Sequence, residues 1–478
     1  MKMRNLSMLT DYYQLTMANG YYLEGRADRE AIFDIFFRDI QDMNFAVFAG
    51  LEQAVDYLMN LKFTDEDIEF LRDQHEFDES FLEHLKEFKF TGDVYAVPEG
   101  SIVFPMEPLM TIKAPIEQAQ IIETALLTII NHQTLIATKA SRVKFAAGNA
   151  AVLEFGLRRA QGPDAGIYGA RAAVIGGCDA TSNVYSAKEF GIKPKGTHSH
   201  SWVMSFPDEL TSFREYARLY PNNCLLLVDT YDTLKSGVPN AIKVFKEMRA
   251  RGCEPSGIRL DSGDLSYLSK KARVMLDEAG FPNAKICASS DLDENLIQSL
   301  NLQGAKIDIW GVGTKLITSF DLPALGGVYK MSAIEEDGKL IPKIKVSDNA
   351  MKITNPGYKT IYRIYDNKTD KALADLIGLR SENLPTDEIT IFHPLETWKQ
   401  MVLTDYYIKD LHKLIIKRGE LVYDMPKFGE ICDYAKKDKA TFWEEYQRIQ
   451  YPQEYKVDLT KELYDLKQGM LKTIGKIK

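Results

Sequence analysis

Between Val152 and about Lys330 the chain repeats one pattern: a short apolar run ending in small, acidic or basic residues, then an amphipathic stretch. The runs end at Arg159 in AVLEFGLRR, near Asp179 in AAVIGGCDATSN, at His200 in KPKGTHSH and at Asp229 in CLLLVDTYDT. Three more end at Asp261 in SGIRLDSGD, near Ser290 in AKICASSDLDE and at Thr314 in IDIWGVGT. Successive ends lie 20 to 32 residues apart. The intervening VPNAIKVFKEMRARG and LSYLSKKARVMLDEAG have helical apolar spacing and close on glycine, a common helix C-terminus. Buried strand followed by amphipathic helix, about seven times over, predicts parallel βα units, and closure into a barrel fits that count better than an open sheet. The polar ends then share one rim, where such folds hold their chemistry.

The flanks read differently. Residues 8–24, with Leu9, Tyr12, Tyr13, Leu15, Met17 and Tyr21 around a Thr10-Asp11 cap, predict a first helix with an aromatic face. AIFDIFFRD alternates as a strand does, VFAGLEQAVDYLMNL reads as a helix, and residues 63–87 as further short helices. GDVYAVPEGSIVFPMEPLMTIKAP has the turn chemistry of short antiparallel strands, and a long helix follows it. Past Met331, strands are expected with turns at Glu336-Asp337-Gly338 and Asn367-Lys368, and the tail from Trp398 to Lys478 reads as helices with loops. The expected organisation is an N-terminal α+β domain (1–140), an α/β barrel carrying the site on its rim (141–350), and a C-terminal region (351–478) that packs on the N-terminal domain.

Composition narrows the function. A chain of 478 residues exceeds the size at which one core stops growing, and 45% apolar with 27% charged residues is ordinary for a folded protein. The formal charge of −9 argues against a protein that coats nucleic acid, so any anion site must be built locally. Five cysteines without a CxxC pair indicate neither a disulfide framework nor a thiolate zinc cage, and fit a reducing cytosol. The N-terminus lacks a secretory apolar core, and no window approaches the roughly 18 apolar residues of a membrane span.

The rim candidates follow from side-chain chemistry. His198 and His200 in GTHSHSW would face one side of a strand and could share a metal ion, but further histidine ligands are missing from the repeat. The plainer reading makes His198 a hydrogen-bonded packing residue. Arg158-Arg159 could grip a small carboxylate or phosphate, or could close salt bridges on the rim. In IRLDSGDLS, Asp264 is expected to cap a helix while Arg259 and Asp261 face the pocket, where carboxylates suit ribose hydroxyls or hydrated magnesium. ASSDLDE and GVGTKL put small residues between a strand and a helix, a cradle for phosphate, although neither is a Walker or dinucleotide fingerprint. No GxSxG elbow stands out, and Lys195 and Lys315 show no sign of a Schiff base. The rim is suited to anions and electrostatics.

Taken together and in order, LTDYYQLTMANGYY, EFGLRRAQGPDAG, GTHSHSW, LLLVDTYDT, IRLDSGDLSYLS, SSDLDE and DIWGVGTKLIT resemble the nicotinate phosphoribosyltransferases of NAD salvage. The resemblance covers most of residues 8–330. It implies an irregular seven-stranded α/β barrel with an N-terminal α+β domain and a C-terminal extension, in a cytoplasmic homodimer with shared active sites. It implies formation of nicotinate mononucleotide and pyrophosphate from nicotinate and phosphoribosyl pyrophosphate, with Mg²⁺, and with ATP as co-substrate through a phosphohistidine at His200. By the same resemblance Asp229 and Asp261 are pocket carboxylates in catalytic roles. Tyr13, reaching in from the partner subunit, Phe155, Arg158, Thr197 and Arg259 surround nicotinate, and Ser290, Gly313 and Thr314 hold the sugar phosphate. No metal ligand from the protein, no nucleic acid and no membrane is implied. A nicotinamide-using relative and a catalytically silent scaffold are the alternatives.

Overall fold

In the computed structural model, which describes residues 5–39, 43–349 and 352–475, the chain forms two compact units. One comprises Ile136–Pro323, the other Met1–Leu135 with Ala324–Lys478. The helix Glu123–Ala147 contains the first boundary.

The Ile136–Pro323 unit is the repetitive one. Its sheet has six strands: Ala151–Glu154, Ala180–Thr181, Leu225–Leu227, Gly257–Leu260, Lys285–Ser290 and Ile309–Val312. All neighbours pair in parallel. In space the 180–181 strand lies at one edge, followed by 151–154, 309–312, 285–290, 257–260 and 225–227. Helices Pro163–Ile175, Val184–Phe190, Val238–Ala250, Leu265–Glu278 and Glu294–Leu302 alternate with the strands. Several begin in the same way, on a short polar side chain that accepts an orphan backbone N–H. Asn183 accepts from Ser186, Asp264 from Tyr267 and Asp293 from Leu296, and Asp208, at the start of a further helix Glu209–Leu219, accepts from Thr211. Each such cap is worth about 1 kcal/mol, and together they fix where the loops beyond the strands stop. Asp264 is thus the cap the sequence led us to expect.

Where a seventh strand was expected, residues 193–198 form no strand. Thr181 makes a single parallel bridge with Pro194, and Lys195 N–H donates to the Thr181 carbonyl at 2.9 Å. Proline has no N–H to extend a ladder. On the far side the Leu227 N–H is accepted by the His198 imidazole, Nε2 at 3.1 Å, instead of by a backbone carbonyl.

The other unit interleaves both ends of the chain. In its seven-stranded antiparallel sheet, Glu30–Phe37 pairs with Met110–Pro115 and with Gly327–Glu336. Asp93–Ala96 joins Lys413–Lys417. A six-stranded sheet contains Lys359–Asp366, Ala372–Leu379, Glu388–Phe392, Gln400–Thr404, Tyr406–Asp410 and Val457–Leu459. The helical reading of the tail therefore needs correcting. Helices Phe428–Ala440 and Lys461–Gly475 are present, but much of 400–421 is strand. These strands are short, and their charged ends, as in KLIIK, hide a period of two.

Candidate active site

The C-terminal ends of the parallel strands gather most of the expected residues. Strand parity explains how: residues two apart share a face, so Arg259 and Asp261 project together from one strand, and Ser289 from its neighbour. Arg259 donates through Nε to Ser289 Oγ at 2.7 Å, through Nη1 to Thr197 Oγ1 at 3.0 Å and through Nη2 to Asp261 Oδ1 at 2.7 Å. Ser289 Oγ also donates to Asp261 Oδ1. The guanidinium carbon lies 5.6 Å from the centre of the Phe155 ring. A guanidinium has five N–H donors. The three bonds named leave one N–H on each terminal nitrogen.

Burial pushes the Asp261 carboxyl upward, but the Ser289 hydroxyl, the Arg259 guanidinium and His200 outweigh it and hold it below the usual carboxylate range. Its backbone N–H donates to Asp229 Oδ2 at 3.0 Å, as does Ser262 Oγ at 2.6 Å. Asp229 Oδ1 is buried without a hydrogen-bond partner among the described residues.

The two histidines separate cleanly. His198 is buried against Tyr216, ring centres 4.7 Å apart, and accepts the Leu227 N–H. Burial lowers its pKa to about 4, so the ring is neutral, in agreement with an Nε2 acceptor. His200 opens the short helix His200–Met204. Its Nδ1 shares a hydrogen bond of 3.1 Å with Thr230 Oγ1, and its Nε2 stands 3.6 Å from Asp261 Oδ2. Its side chain is 40% exposed. The two rings make different contacts and do not form a metal pair. Among the described residues no group of three or more His, Cys, Asp or Glu converges on a metal position.

At the next strand ends, Ser290 pairs in register with Val312, beside Gly313 and Thr314 at the start of the Thr314–Ile317 helix. Ser290 is exposed and Gly313 and Thr314 are half-buried. Lys315 Nζ donates to Asp293 Oδ2 at 2.5 Å, tying this turn to the cap of the Glu294–Leu302 helix. Arg158 and Arg159 lie exposed on the turn Leu157–Arg159. Beneath that turn, buried Glu154 accepts from the Gly156 N–H and from Thr181 Oγ1, and burial raises its pKa. Gly156 is required there, since a Cβ would stand 2.5 Å from Ile317 Cβ. Tyr13 lies in the other unit, 50% exposed on the helix Tyr12–Leu23.

Ser289 and Thr230 were missed from sequence, and Ser262, read at the strand end with Arg259 and Asp261, was given no role there. The signal for Ser289 was parity: in the Ser289-Ser290 pair, only the first shares the pocket face with Cys287, the register partner of Arg259.

A parallel sheet whose strand ends carry an arginine fork, two carboxylates, a half-exposed histidine and a strand-to-helix turn of small residues defines an α/β enzyme for anionic substrates. Comparison with known proteins makes the class specific. The nicotinate phosphoribosyltransferase N-terminal domain matches residues 8–131, the nicotinate phosphoribosyltransferase family residues 150–376, and its C-terminal domain residues 358–467. The chain is 51% identical over 465 residues to the nicotinate phosphoribosyltransferase of Bacillus subtilis, covering 97% of this chain and 94% of that one. It is 37% identical over 515 residues to that of Dictyostelium discoideum, covering 96% and 87%. The crystal structure of human nicotinic acid phosphoribosyltransferase superposes with a TM-score of 0.85 at 29% identity, over 96% of this chain and 99% of that one. The chain belongs to the nicotinate phosphoribosyltransferase family.

Proposed function

We propose that this rim joins nicotinate to phosphoribosyl pyrophosphate, giving nicotinate mononucleotide and pyrophosphate, the first step of NAD salvage from nicotinate. The observation that carries the reading is the Arg259 fork, held by Thr197, Asp261 and Ser289 with two donors to spare beside the Phe155 ring. Nicotinate presents a carboxylate and an aromatic face, which such a fork and ring complement.

The pyridine nitrogen attacks the anomeric carbon with its lone pair while the bond from that carbon to the pyrophosphate oxygen breaks. That nitrogen carries no proton, so the step needs no general base. The barrier is set by positive charge on the ribosyl carbon and negative charge on the departing pyrophosphate. Asp261, kept ionised, and Asp229 supply negative charge for the first. Arg158, with no hydrogen-bond or ion-pair partner among the described residues, is available to the anionic reactants. Ser290, Gly313 and Thr314 would cradle the 5-phosphate on backbone N–H groups and hydroxyls. Tyr13 would cover the pyridine ring from the partner subunit of a homodimer.

Magnesium fits as a substrate-borne ion. Among the described residues there is no three-residue cage, but Asp229 Oδ1 is a buried oxygen without a partner among them, and Mg²⁺ commonly takes one or two carboxylates plus phosphate oxygens and water. When bound it would neutralise the departing pyrophosphate.

His200 is the proposed phosphoryl acceptor. A nitrogen–phosphorus bond forms on the imidazole as the bond between the β–γ bridging oxygen and the γ-phosphorus of ATP breaks, releasing ADP. The dianion so placed near Asp261 redistributes charge over the rim, and its hydrolysis is coupled to transfer. We further assign residues 193–198 to the seventh barrel position, bridged by Thr181–Pro194 on one side and His198–Leu227 on the other. Five free thiols suit a cytosolic setting.

The test is formation of nicotinate mononucleotide with nicotinate or nicotinamide, each with and without ATP. The reading predicts strong preference for nicotinate and stimulation by ATP. Equal or better use of nicotinamide would favour the nicotinamide enzyme, and no pyrophosphate release would favour a silent scaffold.

A further inference from the structure

One glycine on the pocket face of the sheet stands directly against an aromatic ring. Gly311 lies on the Ile309–Val312 strand, in register with Ser289 on one side and Leu153 on the other. Its backbone is not in the left-handed region, so any L-residue could adopt it, and Gly in a strand interior weakens the strand. The reason for glycine lies in space. A Cβ at Gly311 would stand 2.7 and 2.8 Å from Cδ2 and Cε2 of Phe155, but 3.4 Å, an ordinary contact, from Ser289 Cβ. The ring alone excludes it. The same ring has the Arg259 guanidinium 5.6 Å from its centre, and Phe155 is anchored from behind by its N–H on the Val312 carbonyl at 2.8 Å.

We propose that Gly311 is a positioning residue that seats the Phe155 ring against the strand and so sets the width of the nicotinate slot. This rests on reading Phe155 as the aromatic wall of that slot. A methyl group at 311 pushes the ring outward, toward the space the pyridine needs, without touching Arg259, Asp261 or the phosphate turn. A single methyl in a tight pocket is worth about 10- to 200-fold in discrimination.

The experiment is steady-state kinetics of G311A, F155L, F155A and the pair G311A/F155L, with thermal melts of each. The expected result for G311A is a nicotinate KM raised about tenfold or more, with kcat and the KM for phosphoribosyl pyrophosphate much less affected. Leucine at 155 lacks the ring's ε-carbons and can turn its δ-methyls away from residue 311, so the pair should show a lower nicotinate KM than G311A alone, a non-additivity that general damage to the unit would not produce. Unchanged nicotinate KM in G311A with a raised one in F155A overturns the inference alone. If both are unchanged, the slot reading falls with it. Equal rises for both substrates without rescue also overturn it. Should G311A not fold, the pair decides: a folded pair with a nicotinate KM near that of F155L supports the proposal, and an unfolded pair refutes it.

Discussion

Arg259 and Arg363 each grip an aspartate, one in each unit, and the difference between them separates function from architecture. Arg363 is 0% exposed. It forks onto both oxygens of Asp375 at 2.8 and 2.7 Å, reaches both oxygens of Asp438 at 3.2 and 3.1 Å, and donates to the Ile102 carbonyl at 2.6 Å. These five bonds match the five N–H donors of a guanidinium, and Tyr455 Oη adds a bond to Asp375 at 3.0 Å. Arg259 makes three bonds, and Asp261 beside it is 32% exposed. A saturated, desolvated pair specifies a packed core; an unsaturated one at a strand end is prepared for a ligand. The two histidines of GTHSHSW repeat the lesson within three residues, His198 buried and engaged, His200 open.

The comparison breaks first at Arg363. Replacing it with leucine strands two buried carboxylates, and removing one partner of a buried pair costs about 3–5 kcal/mol. Urea denaturation should show that loss or no folded protein; a fully stable variant would mean that this network is not the core device described. Arg259→Lys keeps the charge but loses the fork. It should melt close to wild type while kcat/KM for nicotinate falls about 10²- to 10³-fold, and a variant of normal activity would place the carboxylate elsewhere. For His200→Ala, the ratio of rates with and without ATP should fall to about one, because the proposed phosphoryl acceptor is gone; full stimulation would move that role to another residue.

His198 gives the smallest effect and sharpens the contrast most finely. Its folded pKa, about 4, lies below its unfolded value of 6.5, so the unfolded chain binds more protons between those values. The stabilisation is complete above about pH 6.5 and is lost as pH falls toward about 4. From about pH 7.5 to about pH 5.5 the wild type should lose about 1 kcal/mol through this group, a slope that His198→Gln lacks. Parallel pH–stability curves for the two proteins would contradict the buried neutral ring.

The parallel unit was legible because its apolar runs and polar ends are close in sequence, and buried parallel strands need little alternation to be recognised. Asp264 as cap and Arg259 with Asp261 in the pocket came from strand-end position and capping chemistry. At the seventh position KPKGTHSH ends like its neighbours, but Pro194 interrupts the ladder and a single bridge to Thr181 forms. The strands of 400–421 escaped notice because their alternation is confined to about five residues each and charged at both ends. Ser289 was hidden by an identical neighbour, and Gly311 by the conspicuous Gly313 two positions on. Both distinctions depend on register with an adjacent strand, which a single run of sequence does not contain.

The central claim, that the unsaturated Arg259 fork is the nicotinate site, is tested most directly by a crystal structure with nicotinate mononucleotide bound. The account predicts the pyridine carboxylate on the two spare donors of Arg259, the ring beside Phe155 and the phosphate at Ser290, Gly313 and Thr314. A nucleotide whose carboxylate rests on another cation, with Arg259 untouched between Thr197, Asp261 and Ser289, would contradict it.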